Sequence, residues 1–382
     1  MTQAPPPAEM TLQRSTRDPE EVRARLTAWL AEEMPPGSEP EVVLHAGIDS
    51  NGMSSETVVL DITATRKGRG RVTKEYVARV APAPEDLPVF PEYRLGDQFR
   101  AMRLAKELAG VPVPKVSRLE ETGRVLGTPY FLMKRIEGIV PPDVLPYTFG
   151  DNWLFDATPE DRERLQRASV EVLVKLHGIP DAASRFDFLD PAALGHAGEN
   201  VLARVVAKTR AWYDFAVTES GGTQRSPLAE RALAWLAANV PAPGETVLNW
   251  GDARIGNMMY RDFEPVAVLD WEMAGLGTRE VDVAWMVFAH RVFQEIATMM
   301  GLPGMPDFLA PEHITDLYEE LSGFRLGDLT WHFVLAATEW ACVFLRTSAR
   351  QLHFGEIERP EDPESVFYHR DLFARLLDEV GA

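Results

Sequence analysis

The chain has 382 residues, of which 45% are hydrophobic and 25% charged, and it carries a formal net charge of −19. At roughly 100–200 residues per domain that length calls for two domains, and the composition is that of a globular chain. So acidic a balance argues against nucleic acid as the main partner, because phosphate backbones are met by a basic face, but it leaves nucleotides open, which need only a local cation or metal. The single cysteine, Cys342, excludes an internal disulfide and a cysteine-based metal cluster, and it suits the cytoplasm.

The opening stretch MTQAPPPAEMTLQRSTRDPE lacks an apolar h-region, so it is not read as a secretory signal, and residues 1–17 read as a mobile tail. Asp18 and Pro19 then supply an N-cap and a first-turn proline for a helix through EEVRARLTAWLAEE. The run from Glu41 to Pro82 alternates β-rich segments with Gly, Ser and Asn clusters, which predicts an antiparallel meander of about three strands. A helix through EYRLGDQFRAMRLAKELAG follows, closed by Gly110 and the extended VPVPKV, and YFLMKRIEG reads as a buried strand leading out at Gly138.

Beyond about residue 138 the pattern turns helical, as in PEDRERLQRASVEVLVKLHGI, PLAERALAWLAANV and REVDVAWMVFAHRVFQEIATMMG. One short hairpin-like segment interrupts it, carrying VLNWGDARIGNMMY and PVAVLDWEMAG. The most apolar run, FVLAATEWACVFL from Phe333, contains Glu339 and falls short of the ~18 residues of a membrane span, so it reads as a buried helix. The division is therefore a sheet-rich lobe over 18–137 and a mainly helical lobe over 138–382, with a ligand expected in the cleft between them.

Within the hairpin segment, Asp252 and Asn257 stand five positions apart, and Asp270 follows eighteen positions after Asp252. That order matches the protein-kinase signature of a loop Asp as base, an Asn as metal ligand and a downstream Asp for Mg²⁺. The chemistry explains the residue types. A nucleoside triphosphate concentrates negative charge, Mg²⁺ neutralises it through hard oxygen ligands, and a carboxylate beside the acceptor hydroxyl can take its proton. Singly, Asp and Asn in Gly-containing loops usually cap turns; together, on a strand, turn and returning strand, the three would meet at one edge.

With these residues in view, the chain from about residue 40 onward resembles the aminoglycoside phosphotransferase family, a branch of the protein-kinase-like fold that phosphorylates small molecules. The similarity is most specific in WGDARIGNMMY and VLDWEMAGLGTREVDVAW, and it looks closest to the phosphotransferase domains related to those attached to acyl-CoA dehydrogenases. The resemblance implies a bilobal α+β fold, with a small N-terminal antiparallel-sheet lobe and a larger, mainly helical C-terminal lobe. It implies an ATP- and Mg²⁺-dependent enzyme, with GTP as an alternative donor. Asp252 would be the catalytic base, Asn257 and Asp270 the metal ligands, and Asp282 a structural support of the catalytic loop. The family usually carries His directly before Gly-Asp; here the position is Trp250, which offers packing and one N–H donor but no acceptor.

For the nucleotide, the resemblance points to Arg79 in EYVARVAP, where many relatives have Lys, and its planar fork can pair bidentately with phosphate oxygens. A solvent-facing arginine on an edge strand is the plainer alternative. Its helix partner would be Asp97 or Gln98. The phosphate-covering loop falls on AGIDSNGMSSET, with Gly47, Gly52, Ser54 and Ser55, a stretch that would serve equally as a hairpin turn. Met133, Arg135 and Ile136 would line the adenine side. His177 reads as a packing or hydrogen-bonding residue at a helix end, while His290, His332 and His353 have no metal-ligand spacing. The partners are thus a nucleotide and a small-molecule hydroxyl acceptor bound near residues 185–245 and 300–365, with Arg204, Lys208 and Arg210 as candidate cations there. The acceptor is either of aminoglycoside type or a hydroxyacyl-CoA or hydroxy acid. A nucleotide-binding module without turnover is the reading from another class.

Overall fold

A computed structural model of the chain describes residues 17–45, 55–143, 146–218, 225–242 and 244–382. Helix α1 (Pro19–Glu33) begins as its sequence dictates, with the Asp18 side chain accepting from the Glu20 N–H. Strands β1 (Glu41–Leu44), β2 (Glu56–Arg66) and β3 (Gly70–Val80) form the expected antiparallel meander. Helix α2 (Leu95–Ala109) ends at Gly110, whose φ of 66° only glycine adopts without cost. Strands β4 (Val116–Glu120) and β5 (Tyr130–Lys134) complete a five-stranded antiparallel sheet of order β1-β2-β3-β5-β4.

One face of this sheet packs on α1. Leu26, Trp29 and Leu30 of the helix meet Leu60, Ala78, Val80 and Leu132 of the strands, and Trp29 lies edge-on to Tyr130 at 5.1 Å. Helix α2 instead contributes Ala101, Met102 and Ala105 to the large core shared with the helical region.

The helical region runs through α3 (Pro159–His177), the short α4 (Ala182–Arg185), α5 (Val201–Thr218) and α6 (Pro227–Ala238). Two small antiparallel ribbons follow. In the first, β6 (Val247–Asn249) pairs with β9 (Gly275–Gly277); in the second, β7 (Met258–Arg261) pairs with β8 (Glu264–Val268). The turn between β7 and β8 places Asp262 and Phe263 at φ of 52° and 63°, the geometry a two-residue hairpin needs to match strand twist. Then come α7 (Arg279–Met299), α8 (Pro311–Ser322), α9 (Thr330–His353) and α10 (Arg370–Glu379). The run from Phe333 lies within α9, where Trp331, Leu335, Ala337, Cys342 and Leu345 are buried. Among the described residues, no helix is long and apolar enough to cross a membrane. The proposed tail lies, apart from Arg17, outside the described residues; Arg17 itself is paired with Glu56 and Thr128.

Candidate active site

The two ribbons are the frame of the site. β6 delivers the chain into Trp250–Asn257, β7 and β8 carry it out and back, and Asp270 stands at the return, before β9 leads into α7. The Leu269 N–H donates to the Asn257 carbonyl at 2.8 Å, so the two candidate metal residues are tied by backbone as well as by fold. Gly251 has φ of 93°, and a Cβ there would lie 2.2 Å from the Met273 carbonyl oxygen. Only glycine permits this crossing of the loop over the segment after Asp270.

Asp282, on the first turn of α7, is fully buried and holds the loop from below. Its Oδ2 accepts from the Trp250 N–H at 2.7 Å and its Oδ1 from the Gly251 N–H at 3.0 Å. Oδ2 also lies 3.1 Å from His177 Nε2, and His177 Nδ1 lies 2.8 Å from the Tyr318 hydroxyl. A carboxylate oxygen that already accepts from the backbone leaves Nε2 of the imidazole to donate to it, and the Tyr318 hydroxyl closes the chain at Nδ1. His177 is thus a hydrogen-bonding residue at the end of α3, as its position in the sequence suggests.

Trp250, also fully buried, does more than fill space. Its indole Nε1–H is shared between the carbonyls of Leu269 at 2.9 Å and Asp270 at 3.0 Å. The side chain therefore joins the Asp252 loop to the Asp270 loop, and it supports Asp270 in a left-handed conformation with φ of 52°, uncommon for a residue with a Cβ.

Around Asp252, the Trp285 indole N–H donates to Oδ1 at 2.8 Å and the Asn257 amide donates to Oδ2 at 2.6 Å. Arg254 Nε lies 3.1 and 3.2 Å from the two oxygens. Burial pushes the Asp252 carboxyl above its ordinary range, Arg254 opposes this, and the nearby charge of Asp270 adds to it. A carboxyl held in this way is a better proton acceptor than a solvated aspartate.

Asp270 Oδ2 accepts from Arg79 Nη2 at 2.9 Å, whereas its Oδ1 is buried and has no hydrogen-bond partner in the protein. With the Asn257 amide nitrogen turned to Asp252, the oxygen of that side chain remains as an acceptor. One carboxylate oxygen and one amide oxygen suit a hard cation such as Mg²⁺, which is bound by one or two carboxylates together with substrate phosphates and water. Among the described residues, no group of three or more His, Cys, Asp or Glu is placed to hold a metal.

Arg79 departs from expectation in its partners. It lies on β3, a central strand between β2 and β5, and is buried rather than solvent-facing on an edge. Its partners are Asp270, Glu272 at 3.3 Å and the Thr57 hydroxyl at 3.3 Å, not Asp97 or Gln98. Asp97 pairs instead with Arg94 at 2.7 Å. Burial opposes the charge on Arg79, but the carboxylates of Asp270 and Glu272 outweigh it and raise its pKa. Asp270 and Glu272, on the turn after β8, take the ion pair.

A cavity of about 440 Å³ opens above this array. Arg79, Gln98, Met133, Arg135 and Ile136 line it together with Asn257 and Asp270. Ser55 is buried near Glu272, with 3.4 Å between its hydroxyl and the carboxylate, while Gly47, Gly52 and Ser54 lie outside the described residues. A second cavity, of about 240 Å³, lies beside it, between α2, α5 and Trp271–Ala274. Its walls include Phe90, Leu189, Trp212 and Trp271, with Lys208 and Glu339 among its polar groups. Burial lowers the pKa of Lys208 and raises that of Glu339, and each opposes the other's shift. Arg204 and Arg210, by contrast, are engaged by Asp190 and Glu230.

Four contributors have roles that the sequence motifs did not announce, three of them inside the motifs and one outside. Glu272 and Trp285 lie inside the quoted motifs, and Arg254 follows Asp252 by two positions. Asp143, the partner of Arg254 at 2.6 Å, is 111 residues away from it and gives no local sign.

A model of the phosphotransferase enzyme family matches residues 48–300. Among curated proteins, the chain is 30% identical over 230 residues to acyl-CoA dehydrogenase family member 10 of Mus musculus, covering 60% of this chain and 20% of that protein. It is 27% identical over 304 residues to the probable acyl-CoA dehydrogenase IBR3 of Arabidopsis thaliana, covering 75% of this chain and 34% of that protein. The chain thus spans about a fifth to a third of the length of these relatives. Among solved structures, a candidate aminoglycoside phosphotransferase from Ralstonia eutropha matches with a TM-score of 0.61 at 18% identity, over 92% of this chain and 96% of that one. APH(4)-Ia in complex with ADP and hygromycin B matches with a TM-score of 0.50 at 15% identity, over 92% and 98%. APH(2")-IIia with GDP and kanamycin matches with a TM-score of 0.51 at 11% identity, over 93% and 98%. The fold is therefore the kinase-like fold of the aminoglycoside phosphotransferases.

Proposed function

The chain belongs to the phosphotransferase enzyme family, and on that premise we propose that it is an ATP- and Mg²⁺-dependent kinase that moves the γ-phosphoryl group onto a hydroxyl of a small molecule. The observation that carries this reading is that Asn257 and Asp270 line one cavity, that Asp252 accepts from the Asn257 amide beside them, and that a buried Asp270 oxygen has no hydrogen-bond partner in the protein. Asn257 and Asp270 are the residues that would hold Mg²⁺, which supplies neutralisation of phosphate charge. Arg79, lining the same cavity, offers a second cation to the phosphates.

In the transfer, a bond forms between the acceptor oxygen and the γ-phosphorus, the bond to the oxygen bridging β and γ breaks, and the nucleoside diphosphate leaves. Asp252 orients the hydroxyl and receives its proton. The remaining residues position these groups: Trp285 and Asn257 aim the carboxylate, Asp282 fixes the loop and Trp250 joins it to the loop of Asp270. ATP is the donor in this reading and GTP the alternative; among the fold neighbours one is an ADP complex and another a GDP complex.

The second cavity is the candidate acceptor site. Its floor, Trp271–Ala274, follows directly from Asp270, and Met273 packs against Gly251 of the loop. The aromatic walls, with Lys208 and Arg94 as cations, support a hydroxyacyl-CoA or hydroxy acid, while Glu92, Asp97, Glu272 and Glu339 on the same walls keep the amino-bearing, aminoglycoside-type class equally in the test. The deciding experiment is a coupled ADP-release screen over hydroxy acids, hydroxyacyl-CoAs, aminoglycosides, amino alcohols and sugars, with Asp252→Ala as the blank. Acceptor-dependent release above that blank supports the reading. Mg²⁺-dependent nucleotide binding without release on any acceptor favours a module that binds nucleotide and does not turn over.

A further inference from the structure

Arg254 is stretched between two carboxylates from distant parts of the chain. Its Nε faces both oxygens of Asp252, and its Nη1 donates to Asp143 Oδ2 at 2.6 Å. All three side chains are largely withdrawn from solvent, at 13–18% exposure. Such an array adds little net stability, since desolvating the charges offsets most of their attraction. What it provides is orientation, because a planar guanidinium satisfies two carboxylates at fixed angles where an ammonium could not.

The surrounding backbone is arranged for this contact. A Cβ at Gly256 would lie 2.5 Å from Asp143 Oδ1 and 2.6 Å from Arg254 Nη1, so the absence of a side chain there makes room for the ion pair. Asp143 follows a segment that is itself fastened. Ile139 exchanges backbone hydrogen bonds with Tyr260 at 3.0 and 2.7 Å, and the Trp153 indole donates to the Val140 carbonyl at 3.2 Å. Glu137, Gly138 and Val140 of this segment line the cavity above Asp270.

We propose that Asp143 and Arg254 are positioning residues for Asp252: Asp143 pins the guanidinium, and the guanidinium fixes the rotation of the Asp252 carboxylate, so that the wall of the cleft and the base are held as one unit. The inference rests on Asp252 being the base. Asp143 touches neither Asp252 nor, in this reading, either substrate, and it acts through Arg254.

Two measurements test it. In steady-state kinetics, Asp143→Ala lowers kcat about 10- to 10²-fold with both KM values changed less than about twofold, the size expected for slight misplacement of a catalytic group. The double variant Asp143→Ala/Arg254→Gln is no worse than Arg254→Gln alone, because the two act in series. Independently of turnover, the Trp285 indole N–H, which donates to Asp252, is followed by ¹H–¹⁵N NMR and assigned by its loss in Trp285→Phe. Its resonance moves in Asp143→Ala and in Arg254→Lys, which keeps the charge but not the fork. A resonance unmoved in Asp143→Ala, or losses that multiply in the double variant, overturns the proposal. Absence of turnover by the wild-type enzyme on every acceptor class defeats the phosphotransferase reading instead, and leaves the NMR result to decide the brace.

Discussion

Replacing Trp250 with Phe keeps an aromatic ring under the loop but removes the indole N–H shared by the Leu269 and Asp270 carbonyls. Leaving a buried acceptor unpaired costs about 1–3 kcal/mol, and shrinking a fully buried ring system adds on the order of 1–2 kcal/mol. The expected loss is therefore about 2–5 kcal/mol, read as a lower urea midpoint at unchanged slope, with fluorescence and circular dichroism monitored together. The functional signature is separate. Because the same N–H supports the strained backbone of Asp270, the added thermal stabilisation that ATP gives in the presence of Mg²⁺ shrinks relative to that given by ATP alone. A variant within about 0.5 kcal/mol of wild type, with its Mg²⁺-dependent stabilisation intact, refutes the claim that Trp250 joins the two loops.

Asp282→Ala strands the N–H groups of Trp250 and Gly251 in the core and costs about 3–5 kcal/mol by urea denaturation; a loss under 1 kcal/mol contradicts its role as the support of the loop. Asp270→Ala weakens Mg²⁺-dependent nucleotide binding, measured by calorimetry with and without the metal, and equal affinities under both conditions in wild type and variant argue against metal ligation. Burial lowers the pKa of His290 and of His369 to about 4 in the folded state. The unfolded chain therefore takes up these protons first. Stability is full above about pH 6.5 and falls as the pH drops toward 4, by on the order of 3 kcal/mol for each group at the low end. Urea midpoints at pH 7, 5.5 and 4.5 check the direction, and a drop that fails to shrink in His369→Phe contradicts the assignment.

Local chemistry made much of this legible in the sequence. Asp18 and Pro19 open α1, Gly110 closes α2, and alternation across Glu41–Pro82 gives the meander, because caps and side-chain periods are properties of neighbouring residues. The triple of Asp252, Asn257 and Asp270 was readable because its members share one short hairpin frame. What could not be read is tertiary. Arg79 meets Asp270 across 191 positions and Arg254 meets Asp143 across 111, and neither spacing carries a period. The partner expected for Arg79 came from α2, yet the pairing went to Asp270 and Glu272 on the turn after β8, where Asp270 takes a left-handed conformation. The hydrogen bond from Trp285 was missed for a similar reason, since a tryptophan on a buried helix face looks like core until the loop opposite is placed.

The central claim is that Asp252 performs chemistry rather than binding. Its most direct test is turnover of Asp252→Ala, with an acceptor found in the ADP-release screen, set beside its nucleotide affinity measured by calorimetry. The account predicts nucleotide binding within about twofold of wild type and turnover lowered about 10²- to 10⁴-fold. Turnover equal to wild type contradicts it.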